Sequence, residues 1–95
     1  MSEFEAAAKK LADNPQVAGD LSDDKKLEIY SLYKQGLIGD VNTQRPGMLD
    51  FKGKAKWDAW SGKKGIPQED AQKQYIELIN DLLAWEITPM KVKGD

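Results

Sequence analysis

Ninety-five residues with a net charge of −2 suit one domain with a modest core, too short for two lobes around a cleft, so a ligand must lie in a groove between elements. The chain has neither cysteine nor histidine, which excludes disulfides, thiolate metal sites, the usual general base and the commonest metal ligand. No apolar run approaches a membrane span and the opening MSEFEAAAKK is acidic where a signal peptide is basic, so a soluble cytoplasmic protein is expected.

Ser2 and Glu5 have the spacing of a capping box, and Phe4, Ala7, Ala8 and Leu11 follow at helical intervals. Pro15 stops this first helix, because the residue before a proline avoids the α region. Residues 14–21 (NPQVAGDL) read as a loop. A second helix starts near Ser22, with Asp23 and Asp24 favouring its positive end. Its apolar positions are Leu27, Tyr30, Tyr33 or Lys34, and Leu37, with Gly36 and Gly39 marking its decay.

Residues 39–50 (GDVNTQRPGMLD) carry no helical period, and Pro46-Gly47 suits a type II turn. A loop this long in so small a domain is functional or packed on itself. Asp50 caps a third helix containing Phe51, Ala55, Trp57 and Trp60, which ends at Gly62 or Gly65 with Lys63 and Lys64 at its negative end. Pro67 opens a fourth, whose stripe is Ala71, Tyr75, Leu78, Ile79, Leu82 and Leu83, and Pro89 closes it. With no strand alternation and no repeat, the fold class is all-α: one domain over residues 1–88 and a short tail over 89–95.

Charge is unevenly distributed. Residues 1–28 carry seven acids and four bases (−3), residues 29–64 three acids and seven bases (+4), and residues 65–95 six acids and three bases (−3). A general nucleic-acid binder would be basic throughout, so a compact anion is the better match. Lys52 and Lys56 lie one helical turn apart, ~6 Å along the axis, on one side of the third helix. Two ammonium groups so placed can grip a phosphate, although lysines taken alone more often form a solvated face. Tyr30 and Lys34 share a face with Tyr33 beside them, an arrangement for a flat base with a phosphate nearby, or for core packing with hydroxyls reaching water. Trp57 and Trp60 both fit an inward role, and the hydroxyl of Tyr75 interrupts an aliphatic stripe, as at a cavity rim. The Gly-Lys pairs at Gly53-Lys54 and Gly62-Lys63 lack the rest of a P-loop. No nucleophile has a base at workable spacing, so no enzyme activity, metal or cofactor is expected.

From Ile29 onward the pattern becomes specific. IYSLYKQ, then GDVNTQRPGMLDFKGKAKWDAW, then EDAQKQYI resemble the acyl-CoA-binding protein family over roughly residues 3 to 86. The resemblance implies a four-helix up-down-down-up bundle with a bowl for medium- and long-chain acyl-CoA esters. Carried over by position, Tyr30, Lys34, Lys56 and Tyr75 match the residues that hold the nucleotide end, with Lys34, Lys56 and Tyr30 at the 3′-phosphate. Tyr33 matches an aromatic beside the adenine, Trp57 the tryptophan of the core and acyl groove, and Lys52 a basic position near the phosphates. The departures are a longer first loop, Ala12 where a lysine is often found, Lys26 at an often apolar position near the adenine, and the tail beyond Glu86. The implied function is a monomeric intracellular acyl-CoA carrier and pool former, without catalysis, which touches membranes and acyl-CoA-using enzymes transiently. The rival readings are a nucleic-acid-binding helix module, recognised by salt-steep oligonucleotide binding, and a protein-interaction bundle with an exposed apolar patch.

Overall fold

The computed structural model describes residues 2–87. Its elements are α1 (Ser2–Ala12), α2 (Pro15–Gly19), α3 (Asp23–Leu37), α4 (Phe51–Ser61) and α5 (Gln68–Ile87), and no strand occurs among the described residues. The all-α expectation holds, with four principal helices and a fifth, short one. The tail over 89–95, the stop at Pro89 and the Ser2 side chain of the capping box lie outside what is described.

The short helix corrects the expected loop over 14–21. Pro15 does end α1, yet a proline also fits the first turn of a helix, where its missing N–H has no partner to lose. Asn14 serves the other side of the junction, its Nδ2 donating to the Lys10 carbonyl at 2.8 Å. Val17, 2% exposed, anchors α2 to the core.

Two helix starts form as expected. The Ser22 hydroxyl accepts from the Lys25 N–H at 3.1 Å, and the Asp50 carboxylate accepts from the Gly53 N–H at 2.9 Å. Pro67 falls just before α5, its carbonyl accepting from the Ala71 N–H at 3.0 Å.

The core joins Phe4 and Ala7 of α1, Val17 of α2, Ile29 and Leu32 of α3, and Ala71, Tyr75, Ile79 and Leu83 of α5, all buried. α3 packs most extensively on α5 and also on α4, while α1 lies against α5. On α3 the buried positions are Ile29, Ser31, Leu32, Gln35 and Gly36. The expected stripe of Leu27, Tyr30, Tyr33 and Leu37 is therefore not its core face: the first three are half-buried and Leu37 is exposed. Gly36 is a contact point inside the helix rather than a sign of its decay. Phe51, at the start of α4, is 72% exposed.

The loop between α3 and α4 is pinned to α4 at three places. Arg45 donates from Nε and Nη2 to the two carboxylate oxygens of Asp58, each at 2.8 Å. Trp57 Nε1 donates to the Thr43 carbonyl at 2.9 Å, and Trp60 Nε1 donates to the Gly39 carbonyl at 2.8 Å. Below it, Asp40 accepts from Gln35 Nε2 and from the Gly65 N–H, both at 2.9 Å.

Candidate functional site

Two hollows meet at Tyr30. The first is an apolar groove of about 580 Å³. Ala8, Leu11 and Ala12 of α1 line one side, Pro15 and Ala18 of α2 with Leu21 the next, and Ile29, Tyr30 and Tyr33 of α3 with Tyr75 of α5 the rest. Lys26 stands at its margin as the one cation among these lining residues. The second is a cleft of about 200 Å³ between the loop and α4, lined by Thr43, Gln44 and Pro46 on the loop and by Gly53, Lys56, Trp57 and Trp60 on the helix, with Tyr30 again as a wall.

An aromatic cluster backs the groove, with Tyr33 and Tyr75 lining it and Phe4 buried behind them. Phe4 stacks on Tyr33 with centroids 5.5 Å apart and meets Tyr75 edge-on at 5.2 Å, while Tyr33 and Tyr75 lie 5.7 Å apart. Burial, with Tyr33 close by, pushes the Tyr75 phenol up to about 12. It is therefore neutral at any physiological pH, a hydrogen-bonding group inside an apolar wall.

The cations of the site rest on rings. The Lys56 ammonium lies 5.5 Å from the centroid of Tyr30, and that of Lys34 lies 4.9 Å from the centroid of Trp60. Lys56 lines the cleft itself, whereas Lys34 lines neither hollow and is tied to the cleft only through the Trp60 ring. A Cβ at Gly53 would collide with the Asp50 carboxylate that caps α4, so a larger residue there would have to displace the cap.

Of the seven residues singled out in the sequence, Tyr30, Tyr33 and Tyr75 come together in the groove, and Tyr30, Lys56 and Trp57 in the cleft. Lys34 reaches the site through Trp60. Lys52 is exposed and lines neither hollow, so the one-turn spacing to Lys56 does not bring the two lysines into one pocket. Trp57 is half-buried on the wall of the cleft, and of the two tryptophans of α4 it is Trp60, 4% exposed, that is buried. Sequence reasoning did not find the α1 and α2 walls of the groove, which only packing brings beside α3. The Arg45–Asp58 fork was also missed: the two charges are thirteen residues apart across an irregular loop, and no period links them. The fork raises the Arg45 pKa and holds the Asp58 carboxyl below the usual carboxylate range, mainly through its hydrogen bonds. Asp40 is likewise lowered, first by the Gly65 N–H and then by Gln35.

This helical bundle, with an apolar groove and a cationic aromatic cleft sharing one tyrosine, has the outline of a small-ligand carrier. The family model described as acyl CoA binding protein matches residues 1–79. Acyl-CoA-binding protein homolog 1 of Caenorhabditis elegans is 54% identical over 63 residues, covering 66% of this chain and 73% of that one. The acyl-CoA-binding protein homolog of Drosophila melanogaster is 45% identical over 82 residues, covering 86% and 92%. The crystal structure of Oryza sativa Acyl-CoA-Binding Protein 2 superposes with a TM-score of 0.78 at 39% identity, covering 86% of this chain and 88% of that one. The chain belongs to the acyl-CoA-binding protein family.

Proposed function

We propose that this protein binds medium- and long-chain acyl-CoA esters reversibly and carries them in the cytoplasm as a monomer, without catalysing a reaction and without a cofactor. The observation that carries this reading is the sharing of Tyr30 between the apolar groove and the lysine- and tryptophan-lined cleft. A coenzyme A ester is a compact polyanion with a purine at one end and an oily chain at the other. It needs flat, cationic and apolar surfaces in one continuous site.

In this reading the purine lies against the tyrosines of the groove, Tyr30, Tyr33 and Tyr75. Lys34 and Lys56 hold the 3′-phosphate with help from the Tyr30 hydroxyl, and the acyl chain runs past Trp57. Lys52, exposed one turn before Lys56, adds positive potential near the phosphates rather than a contact. Binding is the whole mechanism: the protein takes an amphiphile from a membrane or micelle, keeps its chain from water and releases it to an enzyme. The domain spans residues 1–88, with 89–95 as a tail.

At ~0.8 kcal/mol per buried methylene, eight methylenes contribute about 6 kcal/mol gross, reduced by the ordering of the chain. Affinity should therefore rise by up to about fourfold per added methylene until the apolar surface is filled. Isothermal titration with octanoyl- through eicosanoyl-CoA tests this, and a flat series would refute burial of the acyl chain by the protein.

A further inference from the structure

The turn that leads into α4 exposes three large apolar side chains in four residues. Met48 is 76% exposed, Leu49 87% and Phe51 72%. Gly47, which starts the turn, has no heavy atom within 4 Å of where a Cβ would stand, so the turn is open to solvent at its start as well. The surroundings are basic. Residues 47–57 hold Lys52, Lys54 and Lys56 against the single acid Asp50, whose carboxylate is engaged by the Gly53 N–H. The Lys54 ammonium lies 5.2 Å from the Phe51 ring centroid, so charge and apolar surface sit side by side.

We propose that Met48, Leu49 and Phe51, backed by Lys52 and Lys54, dock this protein on an anionic lipid bilayer, the apolar tip entering the interface while the ammonium groups reach the headgroup phosphates. Charge selects this occupant. A locally positive tip on a net-negative chain orients the molecule tip-first towards a negative surface. Size argues against a second copy: three side chains offer on the order of 400 Å² of apolar surface, about half of the ~800 Å² per partner in a stable interface. Pro46 and Gly53, on either side of the tip in sequence, line the Lys56–Trp57 cleft. A docked molecule therefore holds that cleft close to the lipid, which gives the carrier reading a route for taking up its ligand. Docking does not depend on that reading; the use made of it does.

The test is flotation of the ligand-free protein with phosphatidylserine–phosphatidylcholine vesicles and with phosphatidylcholine vesicles. Wild type should bind the anionic vesicles at least about tenfold better, with binding reduced by salt. The double variant Leu49→Ser, Phe51→Ser should lose at least about tenfold on anionic vesicles, and Lys54→Gln about fivefold. Helix content and acyl-CoA affinity, measured without lipid, should stay at wild-type values, which separates failure of docking from failure of the carrier reading. Since the chain lacks cysteine, Leu49→Cys takes a single polarity-sensitive label. Its emission should shift to the blue on anionic vesicles, while a label at Lys10→Cys should not respond. Equal binding to both lipids, or undiminished binding by the double variant, would overturn the proposal. A blue shift that follows protein concentration in the absence of vesicles would assign the tip to self-association instead.

Discussion

Gly36 sits where α3 comes nearest to α1 and α5, and replacing it by alanine tests how tightly the aromatic cluster behind the groove is packed. A Cβ there would stand 2.9 Å from Gln72 Cγ, 3.1 Å from Phe4 Cζ and 3.2 Å from Phe4 Cε1. Neither neighbour retreats freely. Phe4 is 1% exposed and wedged between Tyr33 and Tyr75, and Gln72 Nε2 donates to the Gly36 carbonyl at 2.9 Å. Overpacking of this kind costs ~1–3 kcal/mol, offset by ~1 kcal/mol of helix propensity gained on replacing glycine. With a fully buried ring as the obstacle the cost falls in the upper part of that range, ~2–3 kcal/mol, so Gly36→Ala should destabilise by about 1–2 kcal/mol net. That lowers the melting temperature by roughly 4–15 °C in a domain of this size. Gly19→Ala is the control. Nothing lies within 4 Å of its Cβ position, so alanine there should stabilise by ~0.4–1 kcal/mol by restricting the unfolded chain. Thermal and urea unfolding followed by circular dichroism would measure both. A Gly36→Ala protein as stable as wild type would refute the close-packing argument.

Three further outcomes are expected. Lys56→Ala should weaken acyl-CoA binding by ~1.5–3 kcal/mol, the worth of a charge-assisted contact, and leave 3′-dephospho ligands much less affected; equal losses by titration calorimetry would remove Lys56 from the 3′-phosphate. One tyrosine should ionise near pH 12 in a tyrosinate absorbance titration, which Tyr75→Phe abolishes. Because the folded value lies above the ordinary 10.0, the stability linked to Tyr75 is complete below pH 10 and is lost as pH rises towards 12, by at most about 3 kcal/mol. The Asp58 and Asp40 carboxyls have lowered folded values, so their contribution is present above the ordinary carboxylate range and is lost as pH falls through the lowered value. The loop between α3 and α4 should then loosen in acid before the helices melt, seen as a shift in the resonance of the Trp57 indole N–H, which donates to the Thr43 carbonyl. Asp58→Asn should produce the same shift at neutral pH.

Where residue type alone dictates local geometry, the sequence was a good guide. Ser22 and Asp50 cap their helices, and Ala71, Tyr75, Ile79 and Leu83 form the buried ridge of α5 because a period of three and four leaves them little choice. Pro15 misled because one proline both ends α1 and opens α2, and five residues are too few to display a period. α3 misled for another reason. It packs against α5 and α4 at once, so its buried set includes Ser31, Gln35 and Gly36, which no hydrophobic pattern would select. The tyrosines and Lys56 of the candidate site were legible as residues, and Lys34 as a neighbour on their helix. The groove itself was not, since its α1 and α2 walls approach α3 and Tyr75 only through the tertiary fold.

Four cations of the basic middle fall into two kinds, and the division bears on function. Arg45 is committed to Asp58 and Lys63 to Glu28, both ion pairs that tie one element to another. Lys34 and Lys56 have no carboxylate partner among the described residues and rest over the rings of Trp60 and Tyr30. A ring face holds an exposed ammonium by only ~0.5–1 kcal/mol, whereas a charge-assisted hydrogen bond to phosphate is worth ~1.5–3 kcal/mol. The exchange from ring to phosphate is therefore favourable, and it leaves the ring in place beside the anion. Had these lysines faced carboxylates instead, each binding event would first break an ion pair and leave an acid against the incoming phosphate. Aromatic seats leave both cations free to change partner, which under the proposed carrier reading suits a site that captures and releases a polyanion.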